Sequence, residues 1–119
     1  RKGITVFQSI LTLMFIPLEE RHALVRQVYE ALQPSGIFIV VEKVHWNDFR
    51  MHDMTVDEYH AMKERNGYTK AAIEAKARSL DGVLIPQTPR ENEAMLMKAG
   101  FDTASFWQWM NFQGWVAFK

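Results

Sequence analysis

The sequence predicts an α/β domain on three observations. An apolar segment, an amphipathic helix and a second apolar run follow one another at the start; closely spaced helical signals fill the middle; two aromatic strands close the chain. Strand, crossover helix and strand make a parallel pair. Residues 4–15 mix β-branched and aromatic side chains without a helical period and stop before Pro17, which predicts a mostly buried strand running into a loop. A helix is predicted over residues 18–33. Pro17 loses no hydrogen bond in a first helical turn, Glu19 and Glu20 suit the positive end of the dipole, and Ala23, Leu24, Val28, Ala31 and Leu32 form one apolar stripe. Pro34, Ser35 and Gly36 mark a tight turn. Residues 37–41 (IFIVV) are an unbroken apolar run of the kind found in strands covered on both faces.

The pattern then changes, and residues 45–82 read as a helical arm inserted between strands. Thr55 and Glu58 have capping-box spacing, so a helix is predicted from there, or from near Met51, to Arg65, with Asn66 and Gly67 as its stop. Thr69 caps a second helix through Leu80, ended by Asp81 and Gly82. A third starts at Thr88-Pro89-Arg90-Glu91, which joins a capping box to a proline at the first helical position, and ends at Gly100. Residues 103–110 and 114–118 are aromatic strands, and the short connection Asn111-Phe112-Gln113 makes them an antiparallel hairpin. The whole chain, residues 1–119, reads as one domain.

Composition bounds the function. The chain has 119 residues, 14 Lys+Arg against 14 Asp+Glu, no cysteine, and 48% hydrophobic residues. A chain of this size hides roughly two thirds of its unfolded surface, enough for one core. No apolar run nears the ~20 residues needed to cross a bilayer. Without cysteine there is no disulfide frame and no thiolate metal site, and no export signal is apparent, so a cytoplasmic setting is expected. Neutral charge argues against a nucleic-acid binder. One local exception is the stretch holding Lys63, Arg65, Lys70, Lys76 and Arg78 against only Glu64 and Glu74. It reads either as a solvated helix surface or as an anion site.

Common catalytic motifs are absent: no G-x-S-x-G elbow, P-loop, H-E-x-x-H pair or G-x-G-x-x-G loop occurs. His45 and His52 with Asp48 and Asp53 could be drawn as a metal cluster, but a polar loop yields the same residues by chance, and no metal is expected. Ligands of open α/β sheets collect beyond the carboxyl ends of parallel strands, which puts Thr12, Met14, Glu42, Lys43 and His45 near any crevice. Glu42 and Lys43 could equally do no more than end a strand. Trp107, Trp109, Phe112 and Trp115 are hairpin core or pocket lining; core suits most of them, and Trp109 and Phe112, flanking the turn, are the pocket candidates.

Several blocks occur in one order: LTLMF at 11–15, the PSG turn leading to IFIVVEK, RNGY at 65–68, GVL at 82–84, KAGF at 98–101 and WMNF at 109–112. Together they resemble the carboxyl-terminal half of class I S-adenosylmethionine-dependent methyltransferases, most closely the carboxy-S-adenosylmethionine synthase branch of tRNA wobble-uridine modification. The resemblance implies half of a Rossmann-like methyltransferase sheet, strands four to seven of the order 3-2-1-4-5-7-6, with the last strand antiparallel. It implies that the glycine-rich cofactor loop and the ribose-binding acidic residue lie outside these residues. In that branch an arginine of the arm pairs with the extra carboxylate of the modified cofactor. The alignment sets Ala77 at that position and Arg78 one residue on, where a helical step turns the side chain by about 100 degrees. Ile10, preceded by Ser9, stands where the family sometimes has asparagine or serine.

The cofactor implied is S-adenosylmethionine or its carboxylated derivative, with no tight binding expected from this segment alone. Its candidate contacts are Thr12, Glu42, Tyr68, Arg78 and Trp109, and no catalytic residue is assigned. A first strand lacking its neighbour leaves an apolar edge. The expected partners are a second copy, through the arm or that strand, or a separate amino-terminal half. The leading expectation is a methyltransferase-like half domain, a transferase only when completed. The alternative is a dimeric module of the same descent that binds another small ligand or a protein.

Overall fold

The computed structural model describes residues 3–119. Its elements are β1 (Ile4–Ile10), a 3-10 turn (Leu13–Phe15), α1 (Leu18–Ala31), β2 (Leu32–Lys43), α2 (Phe49–Arg65), α3 (Lys70–Leu80), α4 (Pro89–Ala99), β3 (Asp102–Trp109) and β4 (Phe112–Phe118). They build one four-stranded mixed sheet in the order β1-β2-β4-β3. β1 and β2 are parallel, joined by α1 as the crossover, and β4 lies antiparallel between β2 and β3.

α1 and α4 pack on each other and against the sheet. Between them lies a core of Val25, Val28, Leu32, Phe38, Val40, Leu96, Phe101 and Trp115, all buried. Of the predicted stripe of α1, Val28 and Leu32 are buried and Leu24 packs against the core, whereas Ala23 and Ala31 are exposed; Arg21 and Val25 are buried beside Val28 in their place. The predicted face is thus widened on one side by Val25 and by an arginine carried inward. Pro17 is the N-cap of α1 and supplies only its carbonyl, to the Glu20 N–H at 2.9 Å.

Other expectations shift for local reasons. β1 ends at Ile10 rather than Phe15, because Leu11 takes a positive φ of 55° and turns the chain. The predicted turn at Pro34 is a bulge within β2: Ile4 pairs Leu32 while Val6 pairs Ile37, and Ser35 has φ 67°. A side chain at Gly36 would meet the Gln33 carbonyl at 2.8 Å, so only glycine fits there. β2 is covered on one face, with Phe38, Val40 and Glu42 buried, as is Val44 just beyond the strand, and the alternating residues half-buried. Nor is β1 mostly buried. Of its seven residues only Ser9 is, and Val6 and Ile10 are 47% and 49% exposed.

α2 begins six residues before Thr55. Asp48 is its N-cap, accepting the Arg50 N–H at 2.9 Å, while Thr55 is buried within the helix and donates to the His52 carbonyl. α3 is capped by Thr69, and α4 carries the full Thr88/Glu91 capping box with Gly100 left-handed at its end. The hairpin turns on Met110 and Asn111 alone, so Phe112 and Gln113 belong to β4, where Phe112 faces Trp109.

The arm leaves and rejoins the sheet at one place. Val44 bridges Gln87, the His45 N–H donates to the Gln87 carbonyl at 3.0 Å, and the Val44 N–H donates to the Asn111 carbonyl at 2.8 Å. The radius of gyration is 15.9 Å and the extents are 51 × 25 × 23 Å. A compact domain of this length has a radius of about 13.5 Å. This chain is elongated.

Candidate functional site

The carboxyl ends of β1 and β2 form the first part of the site. After β1, the positive φ at Leu11 is held by the Leu11 N–H donating to the Val41 carbonyl at 2.8 Å, a backbone conformation few non-glycine residues adopt. Thr12 follows, exposed, its hydroxyl donating to the Ile10 carbonyl at 3.1 Å. Beneath it the 3-10 turn buries Leu13 and Met14.

Glu42 holds that turn from below. It is buried, and its Oε2 accepts the Met14 N–H at 3.2 Å. Arg21, also buried, donates from Nη2 to the Met14 carbonyl at 3.0 Å and from Nε to the Ile16 carbonyl at 2.7 Å. Both backbone groups of Met14 are thus fixed by charged side chains reaching up from β2 and α1. The second carboxylate oxygen of Glu42 has no partner among the described residues. Burial pushes the Glu42 carboxyl up to about 7; the backbone bonds from the 3-10 turn and the Arg21 charge oppose that rise without cancelling it. Burial likewise draws the Arg21 guanidinium down, and the Glu42 charge pulls it back up.

The second part is an open groove of about 500 Å³ between the base of the sheet and the arm. Lys43 enters it from β2, Tyr59 and Lys63 from α2, and Ile73, Lys76 and Arg78 from α3. Tyr59 stands at its wall. The ring meets Phe112 edge-on at 5.2 Å and Trp109 edge-on at 6.3 Å, which fastens α2 to the hairpin tip. Lys43 Nζ lies 5.0 Å and Lys63 Nζ 4.5 Å from the Tyr59 ring centre, both within cation–π range. Burial lowers the Lys43 pKa, and the charges of Lys63 and Lys76 lower it further.

The five candidate contacts do not meet in one pocket. Thr12 and Glu42 belong to the strand ends, with Glu42 beneath the surface. Arg78 lines the groove. Trp109 is 41% exposed beside Tyr59, and Tyr68 is 59% exposed in the turn between α2 and α3. Of the other indoles, Trp115 is fully buried core, its Nε1 donating to Glu93 at 3.0 Å, whereas Trp107 is 41% exposed and not core. His45 and His52 stack at 3.7 Å instead of converging on a shared point, and Asp48 is engaged with Arg50. Among the described residues no group of three His, Cys, Asp or Glu is placed to hold a metal. No helix among them is long and apolar enough to cross a membrane.

Arg21 and Tyr59 are the contributors that sequence reasoning passed over. For Arg21 the available signal was its place at i−4 and i−7 to Val25 and Val28. For Tyr59 it was the i, i+4 spacing to Lys63.

A parallel pair followed by an antiparallel hairpin, in one four-stranded mixed sheet, is similar to part of the class I methyltransferase fold, and solved structures agree. An O-methyltransferase family protein from Burkholderia thailandensis matches all of this chain over 31% of its own length, with TM-score 0.66 and 11% identity. Human N-acetylserotonin methyltransferase, solved with SAM, matches 97% of this chain over 29% of its length, with TM-score 0.62 and 16% identity. These likenesses establish the fold.

Sequence comparison is more specific. The chain is 42% identical over 112 residues to the carboxy-S-adenosyl-L-methionine synthase of Staphylococcus epidermidis, covering 93% of this chain and 49% of that protein. It is 39% identical over 115 residues to the synthase of Campylobacter jejuni, covering 96% and 49%. The chain is homologous to carboxy-S-adenosyl-L-methionine synthase, and it spans about half the length of these curated relatives. No family model matches it.

Proposed function

We propose that these residues form the carboxyl-terminal flank of a carboxy-S-adenosylmethionine synthase-like domain, supplying the far wall of the cofactor site and depending on a further flank to complete it. The observation that carries this reading is β1. It is an edge strand whose Ile4, Val6, Phe7 and Ile10 are 36–49% exposed, at the position where a methyltransferase sheet continues. A row of unpaired backbone groups flanked by apolar side chains demands a cover. The cover is the amino-terminal half, from preceding residues or a separate chain; a second copy of this segment can take the same edge.

Thr12 and the 3-10 turn then face the nucleoside, with Glu42 and Arg21 setting the turn. Arg78 and Tyr68 are the arm's candidates for the carboxylated form of the cofactor, and Trp109 braces the arm. Once completed, the domain is a transferase remodelling or passing on a group of the sulfonium cofactor, in the cytoplasm. Calorimetric titration of the 119-residue chain with S-adenosylmethionine, S-adenosylhomocysteine and the carboxylated cofactor tests the dependence. The expected result is no tight binding of any of the three; micromolar binding by the segment alone would sink the proposal.

A further inference from the structure

His45 and His52 take no part in the proposed cofactor wall, and they sit where the arm leaves the sheet. His45 follows the Val44–Gln87 bridge, and His52 lies in the first turn of α2. Their rings stack with centres 3.7 Å apart and planes 17° from parallel. Next to His45 is Trp46, buried in the core, whose indole N–H donates to the Met110 carbonyl at 3.2 Å. Trp46 therefore fastens the root of the arm to the hairpin.

Both rings also hold the backbone of that residue. His45 Nδ1 donates to the Trp46 carbonyl at 3.0 Å, and the Trp46 N–H donates to His52 Nδ1 at 3.4 Å. The second bond requires a bare ring nitrogen, so it belongs to neutral His52 with its proton on Nε2. A proton arriving at His52 Nδ1 removes the acceptor of the Trp46 N–H. It also puts a cation at the positive end of the α2 dipole. When both rings are charged, two cations lie face to face at contact distance.

The surroundings resist that charge. Burial, and then the charge of His45, draw the His52 imidazole below its ordinary value, while Asp53 of the same helix opposes them. The Asp48–Arg50 ion pair stands at the start of α2. Glu91 of α4 is bonded to the Thr88 N–H and is near enough to feel the charge of His45. His52 also lines the groove, where Lys43 of β2, Tyr59, His60 and Lys63 of α2, and Lys76 and Arg78 of α3 share the wall with Asp81. Basic groups outnumber acidic ones in that wall, which disfavours a further cation.

We propose that the stacked His45–His52 pair is a pH-sensitive clasp on the arm: with His52 neutral it grips Trp46 and shuts the arm's root, and with both rings charged it lets α2 go. The release is local, because neither ring belongs to the core cluster. The clasp stands on the arm's root alone, whatever completes the sheet.

Hydrogen exchange of the full chain at pH 5 and pH 8, corrected for the intrinsic rate, reads the clasp when the amides of α2 are compared with those of α4. The comparison cancels any change in global stability. Losing one hydrogen bond at the root should make opening of α2 about fivefold more frequent at pH 5, relative to α4. His52→Gln offers an oxygen to the Trp46 N–H and does not titrate, so its α2 should open equally at both pH values. His60→Gln, on the same helix but outside the stack, should behave as the parent. Proton magnetic resonance of the unaltered chain gives a second readout: His52 should titrate below the ordinary 6.5. A midpoint at or above that value overturns the proposal, as does a pH response of α2 that survives in His52→Gln or that α4 shares in full.

Discussion

Replacing Trp115 by alanine is expected to leave the domain with little or no stable fold. The indole is fully buried at the centre of the core, on the strand that lies between β2 and β3, and its N–H is satisfied by Glu93. Truncating a buried tryptophan costs about 3–5 kcal/mol through lost burial and the cavity left behind. Domains of this size are stable by only about 5–15 kcal/mol in total, and this one leaves a sheet edge uncovered. Urea unfolding followed by far-ultraviolet circular dichroism should show the midpoint collapse. Trp109→Ala removes a 41% exposed ring and should shift the midpoint far less. Similar losses in the two variants would contradict the packing described.

The second large effect is a pH dependence set by Glu42. Its carboxyl titrates near 7 in the folded chain against an ordinary 4.5. Between these values the folded state keeps a proton that the unfolded state has released. Stability therefore falls as pH rises from about 4.5 to about 7 and is level on either side. The full change is about 3 kcal/mol. Glu42→Gln keeps an acceptor for the Met14 N–H and removes the titration. It should match the parent at pH 5 and exceed it by most of that amount at pH 8. Thermal unfolding of both chains at the two pH values checks this, and parallel pH profiles would show that Glu42 carries no such penalty.

The elements that sequence alone located are those whose signals are local. The Thr88 capping box, the Thr69 cap, the apolar run of β2 and the aromatic hairpin each sit within a few residues of their cause. What it misplaced depends on tertiary contact. Thr55 carries a capping signature but lies buried in mid-helix because Asp48, further back, already caps α2. Arg21 turns inward because Met14 and Ile16 offer carbonyls there, so the buried face of α1 includes a charged residue while Ala23 and Ala31 of the predicted stripe stay exposed. The strand ends of the candidate site were legible, since Glu42 closes an obvious apolar strand. The groove was legible only as a surplus of basic residues on the arm, because Lys43 reaches it from β2 and Tyr59 is set in its wall by contacts with the distant hairpin residues Trp109 and Phe112.

The central claim is that β1 is an interior strand of a larger sheet. It is tested most directly by backbone hydrogen exchange of this chain, alone and mixed with the amino-terminal half of the Staphylococcus epidermidis synthase. The account expects the free amides of Ile4–Ile10 to exchange quickly alone and to become protected when that half docks, together with a gain of S-adenosylmethionine binding. Protection of β1 in the isolated monomer equal to that of β4, unchanged by the added half, would contradict it.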